Sequence, residues 1–238
     1  MRQRRQDLRL LPETALIKTG PVDHADWNFR PLLGWIQRMR FKLILSLIPR
    51  QPIQRILEVG YGSGILMPEL SDRCQELYGI DIHPCNQEVQ AQLKEFQVDA
   101  HLFSGSAEAM PFEDQFFDCI VAVSSLEFIE HVEVACKELR RVLKPDGCLV
   151  MVTPGHSPLV DLGLRLLTGE SANRDYGDRR HSLMSAILTH FTIQKRRTFP
   201  SIGTSLILLY NTLRLLPRST TVDRPPEQSL SISTPNLP

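Results

Sequence analysis

Apolar and polar positions follow two kinds of pattern along this chain. Short apolar runs bounded by Gly, Pro or polar residues predict buried strands, and apolar residues recurring every three or four positions predict helices. The strands that the pattern predicts are 55–59, 77–80, 100–103, 119–123, 148–153, 192–198 and 205–210. The helices that it predicts are 28–48, 65–74, 85–96, 132–143, 159–167 and 182–190.

Strands and helices alternate over most of this length. Alternation of this kind predicts an α/β fold class, a doubly wound domain whose mostly parallel sheet carries helices on both faces. Ligands of such sheets bind at the carboxyl ends of the strands. Four positions with candidate chemistry fall at those ends, namely Gly60, Asp81, Ser106 and Val123.

The segment 56–65, Ile-Leu-Glu-Val-Gly-Tyr-Gly-Ser-Gly-Ile, is the most informative one in the chain. Its three glycines, Gly60, Gly62 and Gly64, predict a turn that a flat ligand can approach closely. Asp81 ends the next apolar run, at the separation where an acid of a nucleotide fold reaches ribose hydroxyls. A dinucleotide site has the spacing G-x-G-x-x-G. This chain has E-x-G-x-G-x-G, and the acid Glu58 suits a cationic ligand better than a pyrophosphate.

Further motifs follow in a fixed order. They are Gly105-Ser-Ala-Glu-Ala-Met-Pro-Phe112, the pair Phe117-Asp118, and Lys144-Pro-Asp-Gly147. With the glycine segment, this order resembles the class I S-adenosylmethionine (SAM) dependent methyltransferases, in particular the small-molecule type 11 domain. The resemblance covers about residues 53–153, and more weakly the region to about 210. It implies a Rossmann-like seven-stranded sheet whose last two strands form an antiparallel hairpin, and SAM as the cofactor.

The resemblance also implies roles for single residues. The three glycines would line the methionine and adenosine parts of SAM, and Glu58 would orient the amino-acid end. Asp81 would bind both ribose hydroxyls. The remaining cofactor-binding residues would be Ser106 and Ala107 at the adenine edge and Ala122 and Val123 under the sulfonium.

Two positions depart from the family pattern. Ser106 stands where the family usually has Asp, and its shorter, uncharged side chain predicts weaker adenine binding. Phe128 stands where many members have His, so a proton-handling role of that His is absent. Tyr61 is also bulky for a glycine turn, although a side chain at such a position can point outwards.

Methyl transfer from a sulfonium chiefly requires that nucleophile, carbon and sulfur be aligned and that water be excluded. A general base is needed only where the acceptor must lose a proton. The catalytic residue therefore stays unassigned, with His156 and His181 as the weak candidates for a base.

Composition and charge add limits. The chain has 238 residues, a length that suits one α/β domain. The five cysteines form no C-x-x-C pair, so we expect reduced core thiols and no zinc site. The net charge is zero in total but +6 over residues 1–50, −10 over 51–150 and +4 over 151–238.

These patterns divide the chain. We expect a mobile basic arm at 1–27, a methyltransferase domain at 28–216 and a disordered Pro-rich tail at 217–238. Within the domain, 28–48 is a helix before the first strand and 154–190 is the variable substrate region. No leader or spanning segment is evident, so we expect a cytoplasmic protein. The basic, aromatic helix 28–48 is a candidate for peripheral contact with a membrane surface.

The predicted function is methyl transfer from SAM to a small-molecule acceptor, with lipid-like and quinone-like acceptors slightly favoured by the apolar segments. A second hypothesis is a non-catalytic SAM-binding or scaffold protein. A nucleotide-cofactor oxidoreductase lacks the glycine spacing that it needs. An RNA methyltransferase lacks an Asn-Pro-Pro-Tyr-type sequence after the fourth strand, and no nucleic-acid partner is expected. The oligomeric state stays open.

Overall fold

The structure is a computed structural model that describes residues 8–21, 23–155, 175–200 and 208–218, except for the side chains of residues 32 and 175–181. Its helices are α1 (Pro31–Leu47), α2 (Met67–Ser71), α3 (Asn86–Glu95), α4 (Val132–Val142) and α5 (Asp175–His190). Its strands are β1 (Ile53–Val59), β2 (Cys74–Asp81), β3 (His101–Ser104), β4 (Phe117–Val123), β5 (Leu143–Pro154), β6 (Phe191–Phe199) and β7 (Tyr210–Pro217). Short 3-10 helices occur at Glu13–Ala15, Ala25–Phe29 and Leu126–Phe128.

One sheet joins the seven strands in the order β3-β2-β1-β4-β5-β7-β6. The first five strands are parallel, and β7 pairs antiparallel with both β5 and β6. The strand order reverses between β1 and β4, which is the switch point where doubly wound sheets bind ligands. The predicted fold class is confirmed, including the antiparallel hairpin at the carboxyl-terminal end.

The central strands are buried on both faces, which explains their continuous apolar runs. Ile56, Val121 and Val150 face the layer that contains α1, α2 and α3. Their neighbours Leu57 and Ile120 face α4 and α5 on the other side. The sheet is therefore the middle of three layers.

Three predicted boundaries were wrong. α5 begins at Asp175, although we expected a loop there, because the three polar residues 178–180 tolerate a helix as well as a loop. β7 spans 210–217 instead of 205–210; the apolar run over 202–216 is long enough for either register. β5 begins at Leu143, because Lys144-Pro-Asp-Gly147 continues the strand instead of forming a turn before it.

Other sequence-based expectations lie outside the described residues. These are the helix at 159–167, most of the variable region 154–190, and the tail beyond residue 218. Among the residues that the structure describes, no helix is long and apolar enough to cross a membrane.

The segment before α1 lies against the domain in the part that the structure describes, whereas we expected a mobile arm. The Arg9 backbone N–H donates to Glu69 at 2.7 Å, and its guanidinium pairs with Asp72 at 3.0 Å. Leu11 is buried, and its N–H donates to the Ile65 carbonyl. Burial of an apolar side chain explains why a segment that is polar on average has a fixed position.

Arg141 of α4 holds the loop that follows β3. Its guanidinium donates to both oxygens of Glu138, to Asp114 and to the carbonyls of Met110 and Phe112, all at 2.7–3.0 Å. A planar guanidinium can form this fork, and an ammonium cannot.

We predict that Arg141→Lys lowers the free energy of unfolding by about 1–3 kcal/mol, because several charge-assisted hydrogen bonds are lost. Urea unfolding measures this. Arg140→Lys is the matched control on the same helix, since among the described residues Arg140 donates only one long hydrogen bond, of 3.4 Å, to the Arg218 carbonyl. Equal loss in both variants would contradict the assigned role.

Candidate cofactor site at the carboxyl edge of the sheet

The glycine turn has the backbone conformation that its sequence requires. Gly60, Gly62 and Gly64 have φ values of 75°, 51° and 73°, in the left-handed region that side chains disfavour. A Cβ atom at Gly60 would lie 2.3 Å from the Cβ of Ser125, which follows β4. No other residue type fits at position 60 without moving the end of β4.

Asp81 at the end of β2 is bound to this turn. Its Oδ2 accepts the Gly62 N–H at 2.8 Å, and its backbone carbonyl accepts the Gly105 N–H at 2.8 Å. One carboxylate oxygen therefore orders the turn. The other, Oδ1, has among the described residues only a long contact of 3.4 Å with the His83 N–H and can bind a hydroxyl.

His83 also stabilises the glycine turn. Its Nδ1 accepts the Cys85 N–H at 3.1 Å, so Nε2 carries the proton and donates to the Gly62 carbonyl at 3.1 Å. The Tyr61 ring packs edge-on against the imidazole at 4.9 Å. The Tyr61 side chain is buried instead of pointing outwards, because the space between His83 and Gly79 accepts the ring.

Glu58 is the buried acid of the site, with 3% of its surface exposed. Burial, with a smaller contribution from the charge of Asp81, raises the pKa of Glu58 to about 8, while Arg40 acts in the opposite direction. Its Oε2 has no hydrogen-bond partner among the described residues. A buried carboxyl group of this kind is expensive unless a donor or a cation reaches it.

Arg40 of α1 is the residue that the sequence did not single out. Burial lowers the pKa of Arg40, while electrostatic interactions with Tyr210, Glu127, Asp23 and Glu58 raise it. The only sequence signal was that Arg40 and Met39 competed for one place in the apolar stripe of the predicted helix. In the structure, Phe41, Ile44 and Leu47 carry the buried stripe, and Arg40 lies beside it.

Asp23 brings the amino-terminal segment to the glycine turn. Its carboxylate accepts hydrogen bonds from the backbone and hydroxyl of Thr19 and from the Ala25 N–H. It lies 3.9 Å from the place where a Cβ of Gly62 would be. It also lines a cavity of about 510 Å³ between the segments 13–18 and 23–30, which is within the size range of small-ligand sites.

The other predicted cofactor residues lie on the same edge of the sheet, but their side chains differ in exposure. Ser106 is exposed, and its Oγ accepts the Glu108 N–H at 3.1 Å. Ala107 and Ala122 are buried in the core, and Val123 is half-buried at the end of β4. Val59 pairs with Ala122, and Asp81 pairs with Ser104, so the ends of four adjacent strands meet here.

The two candidate bases are not placed by the structure. His156 and the His181 side chain lie outside the described residues. His131, another histidine near this edge, is bound to Glu108 at 3.0 Å at the start of α4. Within the described part of the chain, no group of His, Cys, Asp or Glu side chains could hold a metal ion.

The charges of the site suit the methionine end of SAM. The orphaned Oε2 of Glu58 can accept from a bound ammonium group, and Arg40 supplies positive charge for a carboxylate. The free oxygen of Asp81 suits a ribose hydroxyl. These features fit SAM, whereas a pyrophosphate would meet two acids, Glu58 and Asp81, beside the glycine turn.

The fold and the glycine turn resemble those of class I methyltransferase domains. Residues 57–151 match the family model described as a methyltransferase domain. The sterol 4-C-methyltransferase strm-1 of Caenorhabditis elegans is 31% identical over 98 residues, which are 40% of this chain and 29% of that protein. The ubiquinone/menaquinone biosynthesis C-methyltransferase UbiE of Vibrio cholerae is 29% identical over 125 residues, 50% of this chain and 48% of that protein.

Solved structures share the fold. The N-methyltransferase NodS of Bradyrhizobium japonicum, solved in complex with S-adenosylhomocysteine, superposes with a TM-score of 0.57 at 17% identity over 84% of this chain and 94% of that chain. The matches to the two sequence relatives span less than half of their lengths. Their acceptors therefore bear on this chain only as a hypothesis.

We predict that Glu58→Gln stabilises the protein at alkaline pH. Between pH 4.5 and about 8 the unfolded state loses the Glu58 proton while the folded state keeps it, so folding stability falls as pH rises. Glutamine removes this loss, a gain on the order of 3 kcal/mol near pH 8. Urea unfolding at pH 5 and pH 8 measures it, with exposed Glu113→Gln as the control. A gain equal at both pH values would contradict the assignment.

Proposed function

We propose that this protein transfers the methyl group of SAM to a small apolar acceptor of quinone-like or lipid-like chemistry. The observation that carries the proposal is the glycine turn, held to Asp81 and placed beside an orphaned, buried Glu58. The named relatives that act on sterols and quinones support an apolar acceptor.

The chemistry of methyl transfer indicates a role for each residue of the candidate site. Bound SAM supplies a methyl group that its sulfonium already activates. Asp81 would bind the ribose, Glu58 and Arg40 the two ends of the amino-acid part, and the backbone at 106–107 the adenine edge. Ala122 and Val123 would close the site from the end of β4. The chain would then contribute alignment and exclusion of water.

The non-catalytic alternative has one observation in its favour. The Ser106 hydroxyl accepts the Glu108 N–H and so orders its own turn. Unlike the Asp that the family usually has at this position, Ser106 has no carboxylate that could accept a hydrogen bond from the adenine amino group. Binding of SAM without methyl transfer to any of a panel of quinol, isoprenoid and sterol acceptors would favour a binding or scaffold role.

We predict that Asp81→Asn weakens SAM binding by about 10- to 100-fold, because a charged acceptor of hydrogen bonds is lost. Isothermal titration with SAM and S-adenosylhomocysteine measures this, with Asp99→Asn as the control at an exposed carboxylate. Unchanged affinity in Asp81→Asn would show that the ligand site lies elsewhere.

A second prediction concerns the release of a proton when SAM binds. Because the pKa of Glu58 is about 8, its carboxyl group is largely protonated at pH 7, and a cationic ligand beside it favours the ionised form. SAM binding at pH 7 is therefore expected to release a proton. Titration in two buffers that differ in ionisation enthalpy measures the release. Persistence of that release in Glu58→Gln would assign it to another group.

A further inference from the structure

Positive charge is concentrated in one part of the fold. The segments 31–50, 191–200 and 208–218 form α1, β6, β7 and their flanks. They contain nine Lys and Arg residues and no Asp or Glu. Residues 51–150, which form the other strands, carry a net charge of −10. The fold therefore has a basic end and an acidic end.

The elements that carry the basic segments are adjacent in the fold. Helix α1 packs on β7 and β6, and β6 is the edge strand of the sheet. Residues 192–197 of β6 are exposed, among them Lys195, Arg196 and Arg197. Lys42 is exposed on α1, two turns after Trp35. We call this surface, defined by Trp35, Lys42 and residues 195–197, the basic face.

An aromatic pair lies where the basic face reaches the edge of the sheet that carries the candidate cofactor site. The Trp35 ring contacts the Phe199 ring edge-on, with centroids 5.6 Å apart, and Trp35 is 51% exposed. Phe199 pairs with Tyr210, which pairs with Pro154 at the carboxyl end of β5. Gly60 and Val123 lie at the same edge of the sheet.

We propose that the basic face docks this protein on an anionic lipid surface, with Trp35 at the interface. Each Lys or Arg near an anionic bilayer contributes favourable electrostatic energy, and the acidic end of the fold would be repelled. The orientation that results turns the candidate site edge towards the lipid, from which an apolar acceptor could enter. The docking itself does not depend on the proposed methyl transfer.

The exposed side chains favour a lipid surface over a nucleic acid. Tryptophan is enriched at membrane interfaces because its ring is apolar and its N–H is polar. Ile193, 44% exposed, adds apolar surface to the same edge strand. Nucleic-acid binding would need cations that follow a backbone and rings that stack on bases, whereas here the one half-exposed ring lies edge-on against another.

The test is sedimentation of the full chain with vesicles. We expect binding to phosphatidylcholine vesicles containing about a third phosphatidylglycerol, no binding to pure phosphatidylcholine, and weakening at higher salt. The double variant Lys195→Gln with Arg197→Gln should bind about 10- to 30-fold more weakly. The matched control, Lys94→Gln with Lys137→Gln, removes two exposed cations from the acidic end and should bind like the wild type.

Fluorescence tests the orientation. The chain has two tryptophans, Trp27 and Trp35. Anionic vesicles should shift the emission to shorter wavelength, and Trp35→Phe should remove that shift. Three outcomes would each overturn the proposal. One is that the wild type does not bind anionic vesicles, and another is that the two double variants are weakened equally. The third is binding to a single-stranded RNA in place of the vesicles.

Discussion

The hydrogen bond from Gly62 to Asp81 joins the ends of β1 and β2, and the candidate site depends on it. The bond forms only because the three glycines adopt positive φ values, and Gly60 also leaves the space that Ser125 occupies. His83 binds the carbonyl oxygen of the same residue, Gly62. These contacts hold the ends of β2, β1 and β4 at fixed distances before any ligand binds. Tight binding needs this kind of preorganisation.

A second constraint is electrostatic. Glu58 is buried at the end of β1, and its environment favours the neutral acid. Such a group is held by the fold at a cost in stability, and active and binding sites are where proteins retain such groups. The cost is recovered when a cation enters the site, so the same burial that destabilises the free protein favours a ligand with a positive amino-acid end.

The sequence predicted the parts that depend on local pattern. Strand ends, the glycine turn and Asp81 follow from periodicity and spacing, and parallel topology then brings them to one edge. Arg40 and Asp23 could not be predicted in the same way, because they reach the site from segments that precede the sheet. Periodicity alone did not separate Arg40 from Met39. The predicted bounds of β7 were wrong for a related reason, since apolar residues occur on both sides of Tyr210 within 202–216 and offer two windows of strand length.

The uneven charge of the chain connects the two ends of the fold. The acidic strands surround the candidate site, the basic β6 and β7 lie beyond β5, and the basic α1 packs across β4, β5, β7 and β6. Arg40 belongs to the basic group in sequence but lies within reach of Glu58 and Asp23. The boundary between the two charge regions therefore passes through the candidate site. A cationic cofactor bound there would meet the acidic side of this boundary.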